Sequence, residues 1–290
     1  MRPDFLTGTI DLHIHSGPDV IPRIGTSIDI ARAAANAGMR AVVFKDHVFP
    51  SFVKAALTQQ IVPEILVFGG ICLNASVGGL NVNAVKGAIA GGAKVVMFPT
   101  FDSRVGFSHP DMFGGIQKAH LKGEAPKLVA TVDDDGNLLP EAERVLQVLA
   151  EHPDVILSSG HLGPEELVPL VDRAGELGIT RMVVEHPNAE DWFSTEQLRH
   201  LVSAGATINI SYNPYCAMIG RRDPREAVRM IRTLGVEHCT LISDGGQPYN
   251  PMPAETMRVF CEMLHHLGLT VDEIYTMTRT NPARLLGLMG

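Results

Sequence analysis

The stretch Asp11-Leu12-His13-Ile14-His15 belongs to the first of eight short apolar runs and places polar side chains inside it. These runs are rich in valine and isoleucine and show little polar alternation. Such runs are typical of strands that are covered on both faces, as in a parallel sheet. The predicted strands span residues 9–15, 40–45, 65–72, 93–99, 155–159, 181–185, 207–211 and 239–243.

Segments of helical period follow each predicted strand. One of them begins at Ser194, with Gln197 at the spacing of a capping box. Eight strand–helix units in 290 residues favour a closed (β/α)8 TIM-type barrel, with some distortion allowed, over an open α/β sheet. The open sheet is the alternative, but no GxGxxG turn follows the first strand. We predict one barrel domain over residues 1–290.

The segment between the fourth and fifth predicted strands is unusually long. We predict a covering insertion there, with a loop over residues 100–113, a short helix and a hairpin at Asp135-Gly136. Two terminal helices are predicted over residues 270–290, the second starting near Asn281.

Composition narrows the functional classes. Basic residues number 24 against 32 acidic residues, and this net charge of −8 argues against nucleic-acid binding. We find no signal-like start and no apolar run of membrane-spanning length, so no membrane partner is expected. Four scattered cysteines indicate a reduced, cytoplasmic protein. Leucine and methionine on predicted helices, such as Met257, Met263 and Leu264, are compatible with a homo-oligomer, although core packing explains them equally well.

The pair His13 and His15 is the strongest chemical signal. Side chains at i and i+2 of a strand point the same way, so both imidazoles should face the barrel axis. Two converging imidazoles are half of a zinc-type site. Polar residues also end other predicted strands, where a barrel gathers its catalytic groups on one rim. They are Lys45 and His47, His161, Glu185 and His186, and Asp244.

The order HxH, His, His and Asp on strands one, five, six and eight resembles the amidohydrolase superfamily of metal-dependent hydrolases. The resemblance implies that His13, His15, His161 and His186 are metal ligands. It also implies that Asp244 is both a ligand and the general base or acid toward a metal-activated water. One or two divalent ions are implied, with zinc favoured over manganese or iron.

The fourth strand departs from that resemblance. Many two-metal members carry a carbamylated lysine or a glutamate there, but residues 95–100 read Val-Val-Met-Phe-Pro-Thr. A carbamylated Lys45 is one substitute, because burial near cations pushes an amine toward its neutral form. His47 is the other, and it gives a faint similarity to PHP phosphoesterases, although their later Asp-x-His is replaced by Asp244-Gly245-Gly246. A salt bridge from Lys45 to Glu185 is an equally weighted alternative to metal ligation.

Strand parity places two further carboxylates. Asp11 shares the parity of His13 and His15, so it is predicted deeper in the barrel, where it would orient a ligand. Asp46 is predicted to point away from the axis, toward a helix.

Polar residues of the neighbouring loops are predicted to bind a small-molecule substrate. They are Asn74, Thr100, Arg104, His109 and Asn213. Arg104, or one of the pair Arg221 and Arg222, offers a two-pronged contact for a carboxylate, although a solvated surface role is favoured for each arginine alone.

These residues together predict a hydrolase that cleaves a cyclic amide, a lactone or a related ester or amide. In this hypothesis Asp244 takes a proton from water, and His186 or His47 stabilises the oxyanion if it is not a ligand. A decarboxylase of the same superfamily and a PHP-like phosphoesterase are the catalytic alternatives. A non-catalytic metal-binding barrel is a third possibility.

Overall fold

Eight parallel strands form one sheet, whose hydrogen-bonded order follows the chain, in the computed structural model. The structure describes residues 3–109, 121–125, 127–189, 191–218 and 222–289. The strands are β1 (Ile10–Ile14), β2 (Ala41–Phe44), β3 (Leu66–Cys72), β4 (Val95–Met97), β5 (Ile156–Ser158), β6 (Met182–Glu185), β7 (Ala206–Ser211) and β8 (Cys239–Ile242).

The end of the chain's last strand returns to the first and closes the barrel. Ile14 forms a parallel bridge with Gly245, and the His15 amide donates to the Gly245 carbonyl at 2.8 Å. Near the same junction the Asp11 carboxylate accepts from the Ser243 amide at 3.2 Å. The (β/α)8 barrel predicted from the sequence is therefore confirmed.

Helices alternate with the strands. Capping boxes start several of them, including the predicted one in which the Ser194 hydroxyl accepts from the Gln197 amide. The helices are α1 (Ser27–Asn36), α2 (Phe52–Ile61), α3 (Val82–Ala90), α4 (Arg104–Ser108), α5 (Pro140–Ala150), α6 (Pro164–Glu176), α7 (Thr195–Ser203), α8 (Arg225–Leu234), α9 (Pro253–His266), α10 (Val271–Tyr275) and α11 (Asn281–Leu286).

The barrel interior is apolar at its amino end. Ala283 and Leu285 of α11 pack into this layer and close that end, so chemistry is confined to the carboxyl rim. The layer takes side chains from most strands, namely Ile10, Leu12, Ala41, Val43, Val95, Ile156, Val183 and Ile242.

A register shift between Asp11 and Ile14 changes the direction of the β1 side chains. Leu12 packs inside the barrel and His13 also faces inward, whereas Ile14 packs against α1. The predicted inward position of Asp11 is therefore wrong, because a bulge breaks strict alternation. Its carboxylate accepts from the Ser243 amide, and burial raises the pKa of Asp11 to about 7. The charge of Asp11 adds to burial in raising the pKa of the Cys261 thiol on α9.

The start of the predicted covering segment contains a short helix as well as a loop. Residues 104–108 form α4, capped by the Ser103 hydroxyl, which accepts from the Gly106 amide. The predicted hairpin is present as an antiparallel bridge between Val132 and Leu138. The short helix is predicted between residue 113 and the hairpin, and residues 114–120 and 126 of that stretch lie outside the described part of the chain.

The C-terminal tail forms the two predicted helices, α10 and α11. Between α10 and α11 the chain continues as a π-helix over Thr276–Thr280.

Met257 and Leu264 of α9 are fully buried, so core packing accounts for them. None of the helices in the described ranges combines the length and the apolar character that crossing a bilayer requires.

Gly160 is required where β5 turns toward the site. Its φ is +58°, and a Cβ there would lie 2.1 Å from the Phe98 carbonyl oxygen. We expect Gly160→Ala to lose about 1–2 kcal/mol of unfolding free energy from backbone conformation alone, and more from the clash. Urea unfolding would measure the loss.

Gly178→Ala is the matched control. Gly178 has a φ of +78°, but a Cβ there would meet no atom within 4 Å, so only the conformational cost applies. Equal losses in the two variants would contradict the close approach at Gly160.

Candidate metal centre

Five histidines form a closed circle of imidazole rings at the carboxyl rim. The centroid distances from His13 to His15 to His47 are 5.3 and 5.1 Å, and from His47 to His161 to His186 they are 5.7 and 4.9 Å. His186 returns to His13 at 5.7 Å. All five residues are buried. Four strand ends therefore bring the predicted histidines together around one point.

Asp244 lies against two of these rings. Its Oδ1 is 3.2 Å from His15 Nε2 and 3.5 Å from His13 Nε2. One ligand atom from each of these three residues lies within 4.8 Å of the other two. Two imidazole nitrogens and a carboxylate at this spacing are a donor set for a divalent transition metal.

Backbone strain aims two of the site's side chains. His186 has a φ of +33° and Asp244 a φ of +47°, a region that residues other than glycine rarely adopt. Glu185 already faces inward at the end of β6, so regular alternation would turn His186 outward. The left-handed conformation of His186 instead brings two consecutive side chains to the site. Strain of this kind concentrates at functional sites.

Glu185 holds His13 in place. His13 Nδ1–H donates to Glu185 Oε2 at 2.8 Å, and Ser158 Oγ and Asn209 Nδ2 donate to the same carboxylate at 2.7 and 3.0 Å. Burial alone would raise the pKa of Glu185, but His13 and Asn209 outweigh it and lower the pKa to about 2. Thr240 in turn donates to Asn209. A carboxylate on Nδ1 leaves Nε2 for a metal.

This support was missed in the sequence. Glu185 is predicted at the rim and as a partner of Lys45, whereas Ser158, Asn209 and Thr240 are not among the predicted site residues. The signal that could have revealed them is that each is a polar residue within or at the end of an apolar strand run, with its side chain on the inward parity.

Lys45 contacts His47 rather than Glu185. Its Nζ lies 3.2 Å from His47 Nε2, and no ion pair within 4 Å joins it to Glu185, although both residues are described. The predicted salt bridge is therefore wrong. Burial lowers the pKa of Lys45, opposed by Cys72, Asp244 and Glu185. Asp46 points the other way, as predicted, and pairs with Lys54 of α2 at 2.6 Å.

Asn74 bonds the His47 backbone and Thr100 beside the circle of rings. It is fully buried, its Nδ2 donates to the His47 carbonyl and to Thr100 Oγ1, and its Oδ1 accepts from the Thr100 amide. Thr100 Oγ1 also contacts His47 Nδ1 at 2.9 Å. These hydrogen bonds let Asn74 position His47, and its contact with a substrate stays a prediction.

The donor chemistry fits a divalent cation. Burial lowers the pKa of His15, His47 and His161 well below its usual value, and that of His186 to about 4, so these rings are neutral near pH 7. His13 Nε2 and His186 Nδ1 are buried atoms that make no hydrogen bond. Burial would raise the pKa of Asp244, but His13, His186 and Lys45 outweigh it and lower the pKa. Lone pairs and a negative charge thus converge, as a metal requires.

Arg23 opposes metal binding by His15. Its Nη2 lies 3.2 Å from His15 Nδ1, and its side chain, only 4% exposed, is anchored by Asp19. A guanidinium only donates, so the neutral His15 ring carries its proton on Nε2, toward Asp244. Ligation through Nε2 therefore requires Arg23 to release Nδ1.

We expect Arg23→Met to tighten zinc binding by about tenfold, because a group bonded to a ligand's second nitrogen typically shifts metal affinity by 10- to 100-fold. Competition with a chromogenic chelator would measure the dissociation constant.

Lys54→Met is the control for the loss of a nearby positive charge. Its ammonium donates to the Ser16 carbonyl at 2.9 Å and to Asp46, and no hydrogen bond joins it to an imidazole of the described residues. Weaker zinc binding in Arg23→Met than in the control would mean that Arg23 supports the site.

Comparison with known proteins places the chain in a family. A family described as a family of unknown function (DUF6282) matches residues 8–209. The chain belongs to the DUF6282 family. No curated protein matches its sequence.

Solved structures share the fold of this DUF6282 chain. An organophosphorus hydrolase from Deinococcus radiodurans is 16% identical, with a TM-score of 0.61 over 98% of this chain and 94% of that one. A mutant PTE-like lactonase from the same organism is 15% identical, with a TM-score of 0.62 over 99% and 98% of the two chains. These structures share the (β/α)8 barrel that the resemblance to the amidohydrolase superfamily implies.

The DUF6282 match covers the histidines and Lys45 but ends before Asn213 and Asp244. Asn213 Nδ2 donates to Asp244 Oδ2 at 3.0 Å, and its Oδ1 accepts from Asn250. The predicted substrate residue Asn213 therefore orients Asp244 in this structure. Its contact with a substrate stays a prediction.

The other predicted substrate residues of this DUF6282 chain have partners outside the circle of rings. Arg104 donates to the Val132 carbonyl and lies 3.9 Å from Glu166. His109 packs against Trp192, with ring centroids 5.5 Å apart, and stays a prediction. Arg222 pairs with Asp191 and Glu226, and its contact with a substrate carboxylate stays a prediction. Arg221 lies outside the described residues.

Proposed function

We propose that this DUF6282 protein is a metal-dependent hydrolase that opens a lactone, a cyclic amide or a related small carbonyl compound. One observation carries the proposal: five buried imidazoles and the Asp244 carboxylate converge at the carboxyl rim of a (β/α)8 barrel. The rim is where barrels of this type hold their active sites. The lactonase and organophosphorus hydrolase with the same fold support the reaction class.

The residues that would hold an ion are His13, His15 and Asp244, with His161 and His186 beside them. Lys45, in carbamylated form, or His47 would complete a second position. Zinc suits the imidazole-rich set, and manganese or iron are the alternatives. When bound, a divalent ion lowers the pKa of a water toward about 7 and polarises a carbonyl oxygen.

Asp244 is placed to move the proton. Its lowered pKa keeps it ionised at neutral pH, and Asn213 fixes Oδ2, which leaves Oδ1 toward the rings. Asp244 would accept the proton of the attacking water and return it to the leaving oxygen or nitrogen. His186, neutral because burial lowers its pKa to about 4, could donate a hydrogen bond to the developing oxyanion if it does not bind the ion.

A decarboxylase is the second candidate, because the end of β4 offers no bridging ligand. After Val95–Met97 the chain supplies Thr100, whose hydroxyl is bound to His47 and Asn74. A site without a bridge suits a single ion, and single-metal relatives in the superfamily include decarboxylases.

Substrate screening tests the two reactions. We would load the protein with zinc and follow proton release on γ- and δ-lactones and cyclic amides, and carbon dioxide release on small aromatic carboxylic acids. An aryl phosphotriester would test the phosphoester alternative. Ring opening without carbon dioxide release supports the proposal, and carbon dioxide release as the only reaction would overturn it.

We also propose a cellular compartment and a type of partner for this protein. The four cysteines are buried thiols, which suits a reduced compartment and supports a cytoplasmic location with a small-molecule partner.

A further inference from the structure

A buried arginine borders the circle of rings at His15. The Arg23 side chain is 4% exposed, and its Nη2 lies 3.2 Å from His15 Nδ1. The loop that carries Arg23 is fixed beside the centre, because the Ile24 amide donates to the Gly246 carbonyl at 2.9 Å, just after Asp244. Among the described residues, Arg23 is the arginine that contacts these rings. A positive charge is therefore built into the wall of the candidate centre.

The guanidinium of Arg23 uses only one of its edges to bind a carboxylate. Nε donates to Asp19 Oδ2 at 2.7 Å, and the same oxygen lies 2.6 Å from Nη2. Asp19 therefore occupies the edge formed by Nε and Nη2. Nη1 makes no hydrogen bond to a described residue, and Nη2 contacts His15. A guanidinium has five N–H donors in a planar fork, so the edge formed by Nη1 and Nη2 can bind a group with two oxygens.

His15 separates two charges of opposite sign. Asp244 Oδ1 lies 3.2 Å from Nε2 of the ring, and Arg23 Nη2 lies 3.2 Å from Nδ1. Both nitrogens belong to the same imidazole, so a small molecule beside Asp244 is separated from Arg23 by only the width of that ring. Asp19 already balances the charge of Arg23, so an incoming group has to supply hydrogen-bond acceptors as well as a negative charge. A carboxylate supplies both.

The corner between Arg23 and Asp244 is close to the protein surface. The Asp244 side chain is 14% exposed, and Tyr249 is 47% exposed. Both charges act on the Tyr249 phenol: burial raises the pKa of Tyr249, Asp244 adds to the rise, and Arg23 opposes it. Tyr249 therefore lies near both groups, and the corner is within reach of a molecule from solvent.

We propose that Arg23 binds a carboxylate of the substrate through its Nη1–Nη2 edge, so that the substrate is a lactone or cyclic amide with a carboxylate on its ring. The reaction of this substrate rests on the proposed function. The binding of a carboxylate by Arg23 does not depend on it.

The same contact couples the carboxylate to the metal. When Nη2 donates to a substrate oxygen, it releases His15 Nδ1. The neutral ring can then carry its proton on Nδ1 and present the lone pair of Nε2 to an ion. The carboxylate and the ion are therefore expected to strengthen each other's binding, since the coupling between two sites is reciprocal.

Carboxylate binding is tested on the metal-free protein, so that no turnover is needed. The probes are a γ-butyrolactone with a ring carboxylate and the corresponding carboxamide, titrated by calorimetry. We expect the wild type to bind the carboxylate about 10- to 100-fold more tightly, because hydrogen bonds between charged groups are strong. Arg23→Met should lose this preference. Lys54→Met should keep it, because the Lys54 ammonium is bound to Asp46 and the Ser16 carbonyl.

Arg23→Lys guards against a folding defect. It keeps a positive charge for Asp19 but lacks the planar fork, so it should fold and still lose most of the preference. Circular dichroism would verify that each variant is folded. A wild type without a preference for the carboxylate would overturn the proposal.

Zinc affinity tests the coupling, by competition with a chromogenic chelator. A saturating concentration of the carboxylate should tighten zinc binding by the wild type about tenfold, and the carboxamide should not. Arg23→Met should respond to neither probe. An equal response in the wild type and in Arg23→Met would mean that the carboxylate binds the ion directly, and it would overturn the role of Arg23.

Ring opening by the zinc-loaded protein separates this proposal from the proposed function. Carboxylate binding that depends on Arg23, without ring opening, would refute the hydrolase and support Arg23 as a carboxylate-binding residue. Ring opening of the carboxamide as efficiently as of the carboxylate would support the hydrolase and overturn the role of Arg23 in substrate choice.

Discussion

Asp244→Asn is expected to lower the hydrolysis rate by about 10²- to 10⁴-fold, the usual contribution of a general base. The amide keeps the size of the carboxylate and one oxygen, so the variant should still bind metal. It cannot accept the proton from water near neutral pH. The measurement is kcat on a lactone that the wild type opens, together with metal content by plasma mass spectrometry.

Asp46→Asn is the control for the loss of a buried carboxylate at a strand end. Asp46 follows β2 but is directed to Lys54, away from the rings. Its replacement should change activity far less than Asp244→Asn does. Full activity in Asp244→Asn would exclude the proposed role, and loss of metal would show that Asp244 is mainly a ligand.

Removing His13 and His15 together should abolish metal binding. The two rings and Asp244 supply the ligand atoms that lie within 4.8 Å of one another, so His13→Ala/His15→Ala leaves a single member of that set. We expect one or two ions per chain in the wild type and close to none in the double variant. Plasma mass spectrometry after zinc loading and desalting gives the count.

His200→Ala is the control for unspecific zinc binding by a histidine. His200 lies on α7 and pairs with Asp172, and both side chains are exposed. It should bind as much metal as the wild type. A count near two in the wild type would support Lys45 or His47 as a ligand for a second ion, and a count near one would raise the decarboxylase. No metal in the loaded wild type would refute the proposed centre.

Much of this architecture could be predicted from hydrophobic pattern. Apolar runs bury both of their faces in a barrel, and the eight predicted strands match the observed ones within a few residues. The positions of His161 and Asp244 followed because polar residues at the ends of apolar runs must meet at the carboxyl rim. Those predictions depend on strand order alone.

Side-chain direction was harder to predict, because it depends on local backbone. The register shift after Asp11 turns its carboxylate toward Ser243, and the positive φ of His186 brings a ring inward that alternation would turn outward. Neither the register shift nor the positive φ can be recognised from the residue types. The partner of Glu185 was also hard to predict. Glu185 bonds His13 across the barrel, and only the distances in the folded structure distinguish His13 from Lys45 as its partner.

The junction between Asp11 and Ser243 also matters during synthesis. These residues are 232 positions apart, and at about 5–20 residues per second the ribosome needs roughly 10 to 50 seconds to travel from one to the other. Throughout that time β1 has one strand edge without its final neighbour, which is a template for wrong pairing. A nascent chain of this protein therefore depends on late closure, and its yield in cells should respond to translation speed and to chaperones that shield open sheet edges.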